Sequence, residues 1–94
     1  MEIEQAVRNA KAFASKSLGP ERTENIRLEE IESSVVDGIP VWLITLSHGA
    51  NSANAIMRQM LGADAEREYK VFTVTKDTGE VLSMKIRLLA APGV

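Results

Sequence analysis

The sequence predicts an α+β fold: an N-terminal helix packed on a four-stranded antiparallel sheet, in the order α-β-β-(α)-β-β, with a short helix inserted between strands 2 and 3. Three observations predict it. Apolar residues recur at helical spacing near the N-terminus, the last extended segment alternates apolar and polar, and tight Gly-containing turns join the extended segments in two pairs. Short turns impose antiparallel pairing, and one helix suffices to cover one sheet face. At 94 residues the chain is expected to form one domain spanning 1–94, which buries roughly 60–65% of its unfolded surface.

The helix is expected from about Glu2 to Ser17. Ile3, Ala6, Val7, Ala10, Phe13, Ala14 and Leu18 make its apolar stripe. Glu2 and Glu4 precede Lys11 and Lys16, the order the helix dipole favours. Gly19 suits a left-handed cap and Pro20 blocks continuation. The alanines allow close approach to the sheet. Each large apolar side chain buried there contributes about 1.5–3 kcal/mol, with Phe13 the expected anchor.

Asn25 to Val36 reads as extended, but its phase switches. Ile26 and Leu28 share one phase and Ile31, Ser33 and Val35 the other, so a bulge is expected at Glu29-Glu30. Asp37-Gly38-Ile39-Pro40 is a turn. Val41 to Leu46 (VWLITL) is apolar on both phases, as in a central strand covered twice. Ser47 to Asn54 is polar and reads as an exit loop, long for its place and therefore a candidate recognition loop. Ile56, Met57, Met60 and Leu61, ended by Gly62, give the inserted helix, packed on the core or serving as a methionine-rich lid.

Glu68 to Thr75 and Val81 to Leu89 form the last hairpin, with Leu82, Met84, Ile86 and Leu88 inward. A three-residue loop (77–79) would set Phe72 and Val74 beside Leu82 and Met84. A four-residue loop (76–79) would instead set Tyr69, Val71 and Thr73 there, exchanging the faces of the strand. Either way the face away from the helix is expected to stay apolar, through Val41, Leu43 and Val81 with Phe72 or Tyr69. That makes it a candidate partner surface.

Tyr69-Lys70-Val71-Phe72-Thr73-Val74, followed by Lys76-Asp77-Thr78-Gly79-Glu80-Val81-Leu82, resembles the hallmark hairpin of PepSY-like domains. The helix beginning Ile3-Glu4-Gln5-Ala6 and Trp42 early in a strand are also similar to that family. Thr75 stands where the family has an acid, and the 47–65 connection is longer than theirs. The resemblance implies regulation by docking, and it implies no catalytic residues.

Composition excludes several classes. With no cysteine there is no disulfide framework and no thiolate metal site. A net charge of −2 with interspersed signs provides no field for nucleic acid or membrane lipid. No apolar run approaches the roughly 20 residues of a membrane span, and the N-terminus lacks the pattern of a secretory signal. The expected location is cytoplasmic.

His48 is the single histidine. A general base needs a nucleophile in reach and an orienting carboxylate. Ser47 and Ser52 are near in sequence but no GxSxG elbow is present, so His48 reads as a polar strand-end residue. Glu29, Glu30 and Glu32 read as a charged sheet edge, Glu30 and Glu32 on one face and Glu29 on the other. Lys70, Lys85 and Arg87 read as one solvated face paired with those glutamates rather than as a nucleic-acid platform, since aromatics are 4%.

The expected function is that of a small non-enzymatic binding or regulatory domain acting through a sheet face or edge on a protein partner or a second copy. The candidate partner-binding residues are Trp42, His48, Phe72 and Val81. No catalytic residue, cofactor, metal, nucleic acid or membrane contact is expected. The alternative is a small-molecule binder or small enzyme with a helix–sheet pocket gated by 47–62.

Overall fold

The first helix, α1 (Ile3–Leu18), stops where Gly19 takes a φ of 91° and its N–H donates to the Ser15 carbonyl at 3.0 Å. That conformation is strained for any residue with a Cβ. Pro20 then opens a single turn, α2 (Pro20–Thr23). The computed structural model describes residues 2–49 and 67–88. The expected inserted helix, the loop beyond Gly49 and the Leu89 end of the last strand lie outside them.

The strands are β1 (Arg27–Val36), β2 (Ile39–Gly49), β3 (Arg67–Thr75) and β4 (Val81–Ile86), in one antiparallel sheet ordered β1-β2-β3-β4. The doubly apolar segment is indeed internal. β2 runs further than expected at both ends, so Leu46-Ser47-His48-Gly49 is strand and not exit loop.

Asp37 and Gly38 take φ of 51° and 80° between β1 and β2. Two positive values in a two-residue turn match the hairpin turn whose twist suits its strands. The register shifts between Leu28 and Glu30, the phase switch read in the sequence. Leu28 lies opposite Leu46 and Ile31 opposite Ile44. The bulge thus brings both apolar phases of β1 onto the helix side.

Ala6, Ala10 and Ala14 are fully buried against Ile44, Leu46, Phe72 and Val74. The small residues form the contact line because they let α1 lie close to β2 and β3. Larger stripe members sit at its margins: Ile3 is exposed, and Phe13, still 37% exposed, meets Phe72 edge-on at 6.3 Å and 80°. The expected anchor is a flank residue.

The last hairpin resolves its register in an unanticipated way. Thr75 N–H donates to the Glu80 carbonyl at 2.9 Å, so the loop is 76–79. Val74 then pairs with Val81, but a register shift follows, leaving Leu82 as the extra residue, and Thr73 pairs with Ser83 and Phe72 with Met84. A four-residue loop followed by a bulge yields the facing of a three-residue loop. This corrects two expectations. Phe72 is fully buried under α1, and Val81 packs against the same core. Neither faces outward, because the bulge keeps Phe72, Val74, Val81 and Met84 on one side. The outer face retains Val41, Leu43 and Val71, the first of them buried.

Asn9 Nδ2 donates to the Gly79 carbonyl at 2.9 Å, tying α1 to the turn end of β4. The other end of β4 lies beyond the helix. Ile86 and Leu88, expected inside, are therefore exposed, and Leu82, also expected inside, is exposed at the turn end as the extra residue of the bulge. Among the described residues no helix is long and apolar enough to cross a membrane.

Candidate functional site

β2 and β3 pair so that His48 faces Glu68 and Leu46 faces Lys70. Alternation puts all four on the helix side, with Leu46 in the apolar core and the other three at its end. α2 adds Arg22. Arg22 Nη2 donates to Glu68 Oε2 at 2.6 Å. The Lys70 ammonium is 3.5 Å from the same oxygen and 3.0 Å from His48 Nε2. His48 Nε2 is 3.8 Å from Glu68 Oε2.

His48 is fully buried and Lys70 is 7% exposed. Lys70 is a donor only, so His48 Nε2 accepts, and Nδ1–H donates to the Gly49 carbonyl at 2.8 Å. That arrangement sets a neutral imidazole. Burial holds the His48 pKa below its ordinary value and the Lys70 charge lowers it further, against the Gly49 hydrogen bond and Glu68, which raise it. For Glu68, burial pushes the carboxyl up. The Arg22 hydrogen bond and the charges of Lys70 and Arg22 outweigh this and hold it below the ordinary value. Arg22 Nε is buried and has no hydrogen-bond partner among the described residues.

Beside this cluster, where β3 and β4 end, lies a cleft of about 330 Å³ with Glu68, Lys70, Ile86 and Leu88 in its lining. Its lining combines the apolar Ile86 and Leu88 with Tyr69 and four charged side chains, Arg67, Glu68, Lys70 and Arg87. Among the described residues no three His, Cys, Asp or Glu groups come together to hold a metal.

The opposite face has its own polar network. Ser47 Oγ donates to Glu29 Oε2 at 2.5 Å and accepts from Arg67 Nε at 3.0 Å. Ser47 and His48 are neighbours in a strand and point to opposite faces, so they cannot act as nucleophile and base together. Arg87 donates to Glu30 Oε1 and Thr45 Oγ1, both at 2.8 Å. Glu29 shares the outer face with Glu30, contrary to expectation, because the bulge falls at Glu29. The expected row of Lys70, Lys85 and Arg87 is split, with Lys70 alone on the helix side.

Of the four candidate residues, Phe72 and Val81 belong to the core. Trp42 is half-buried on the helix side with Lys76 Nζ 4.2 Å above its ring. His48 alone stands in the polar cluster. The sequence reading missed Glu68, Lys70 and Arg22 as a group. The available signal was the phase Glu68, Lys70, Phe72, Val74, which sets two charges in line with two core residues, opposite a histidine. Comparison with protein-family models, with curated proteins and with solved structures finds no match to this chain.

Proposed function

We propose that this chain is a non-catalytic binding domain acting on a protein, and that an extended segment of the partner pairs with the outer edge of β4. The observation that carries the reading is that β4 is an edge strand among the described residues, with exposed apolar side chains and backbone groups directed away from β3. Arg87 N–H donates to the Tyr69 carbonyl at 2.8 Å. Antiparallel alternation then directs the N–H and C=O of Met84 and Ile86 away from β3. Ile86 is 72% exposed and Leu88 87%. The opposite edge, β1, carries Glu29, Glu30 and Glu32, charges that discourage pairing. On β4 the one comparable charge is Lys85, which stands on the face opposite Ile86.

Strand addition draws affinity from main-chain hydrogen bonds and specificity from alternate side chains. A second copy of the chain is a self-complementary occupant. Pairing about Met84 sets Leu82 of one copy against Ile86 of the other, and Ser83 against Lys85. The resemblance of this hairpin to PepSY-like domains supports docking as the mode of action. The separation of Ser47 from His48 supports a role without catalysis.

The test is Ile86→Pro, which removes an outward N–H and leaves the β3–β4 ladder intact. Solution mass by light scattering at several concentrations should rise toward a dimer for the wild type and stay monomeric for the variant. A wild type that stays monomeric, and that also selects from a displayed peptide library only peptides bound equally by Ile86→Pro, would sink the proposal.

A further inference from the structure

We propose that the cleft beside Lys70 binds a small carboxylate with an apolar body. Lys70 is the central observation. Its ammonium is buried, hydrogen-bonded to a neutral imidazole, and 3.5 Å from a carboxylate already held by Arg22 at 2.6 Å. A buried cation that shares its one carboxylate with Arg22 leaves the cluster with two positive charges against one negative, which favours an incoming anion. Among the described residues the cleft lining supplies three cations, Arg67, Lys70 and Arg87, against one carboxylate, Glu68. Arg67 and Arg87 are engaged on the outer face, which leaves Lys70 as the cation that meets the ligand's charge.

Ile86 and Leu88 form the other wall, and both are largely exposed. Covering them removes apolar surface from water and so rewards an apolar tail. The volume of about 330 Å³ sits at the low end of ligand sites, roughly 300–1,000 Å³, so a short-chain acid fits better than a nucleotide or larger cofactor. The same chemistry is offered by a free short-chain acid and by the C-terminal carboxylate of a peptide ending in an apolar residue. Binding here does not depend on pairing at the β4 edge.

The experiment uses the whole chain and its single histidine as reporter. Hexanoate and N-acetylleucine are titrated separately while the His48 ring resonances are followed by NMR, with hexanamide as the neutral control. The ligand carboxylate beside Lys70 should shift those resonances saturably. Lys70→Gln should weaken binding about tenfold or more, the scale of a lost charge-assisted hydrogen bond. Hexanamide should be weaker by a similar factor. Leu88 is 87% exposed, so Leu88→Asp should keep the fold, and it should also reduce binding. The tighter of the two acids identifies the source of the carboxylate. Equal binding of hexanoate and hexanamide overturns the proposal. So does unchanged hexanoate affinity in Leu88→Asp and in a folded Lys70→Gln, or His48 resonances that do not move with either acid.

Discussion

Arg87 Nη1 stands 2.8 Å from Glu30 Oε1, so a side chain rooted just past the end of β4 reaches the opposite edge strand across the outer face of the sheet. The same nitrogen donates to Thr45 Oγ1 on β2. Two edges that never touch through backbone are joined by one guanidinium. The partners are 36% and 50% exposed, so the pair is screened and its contribution is small. A double-mutant cycle of Arg87→Ala and Glu30→Ala should give a coupling of about 0.2–1 kcal/mol that shrinks with added salt. A coupling indistinguishable from zero in low-salt urea unfolding would show that the contact is not maintained in solution.

Phe72 is the largest fully buried side chain among the described residues. Phe72→Ala should cost about 3–5 kcal/mol, since it leaves a cavity beneath α1. Phe13→Ala should cost less, about 1–2 kcal/mol, through lost edge-on contact and partial burial. Urea denaturation reads both. Equal losses would mean that the two rings share the core evenly.

The contrast between these rings shows what was legible in the sequence. The helix, the four strands, their antiparallel order and the bulge at Glu29 were readable because each leaves a periodic trace in apolar spacing. The facing of Phe72 was not. The bulge at Leu82 shifts register without any residue type that marks it. Size singles out Phe13 in the sequence, whereas helix–sheet contact is governed by distance, which selects Ala6, Ala10 and Ala14. His48 looked like a strand exit because LSHG is polar. The strand continues there because Glu29 and Arg67 satisfy Ser47 on one face and Lys70 engages His48 on the other.

The alanine line carries its own expectation. Ala10 has no exposed surface and lies in the closest part of the helix–sheet contact. Ala10→Leu should destabilise by about 1–3 kcal/mol because the added carbons have no space, although leucine suits a helix as well as alanine does. Ile3→Ser, at an exposed stripe position, should change stability by about 0.5 kcal/mol or less. A tolerated Ala10→Leu would indicate that α1 can lift from the sheet at little cost.

The polar cluster should make the fold acid-sensitive in two steps. The folded pKa of His48 lies below 6.5, so in the window below 6.5 the unfolded chain binds the proton more readily. Its contribution is complete above that value and is lost as pH falls through the window. Glu68 is held below 4.5 in the folded chain. Its contribution is present above 4.5 and is lost as pH falls through the folded value. Urea midpoints should therefore be level above about pH 7, decline below 6.5 and decline again below 4.5. His48→Gln should flatten the first decline and leave the second. A histidine NMR titration with its midpoint above 6.5 would contradict the burial and the Lys70 contact together.

The β1–β2 turn separates two kinds of backbone demand. Asp37 and Gly38 both have positive φ, 51° and 80°. Space is open around Gly38, with nothing within 4 Å of an added Cβ. Any penalty for Gly38→Ala is therefore one of backbone conformation and not of collision. The left-handed region costs an L-residue about 1–2 kcal/mol, and Gly38→Ala should lose that much in urea or thermal unfolding. Asp37 already bears the cost, eased by a short polar side chain. Asp37→Asn should be within about 0.5 kcal/mol of wild type, whereas Asp37→Val should be destabilising, because a β-branched residue fits that region worst. Hairpin register rests on this turn, so Gly38→Ala should also speed amide exchange at Val35 and Val36 before it affects β3. Slowed or unchanged exchange there, with Gly38→Ala as stable as wild type, would mean that the strand pairing itself sets the register and the turn merely follows.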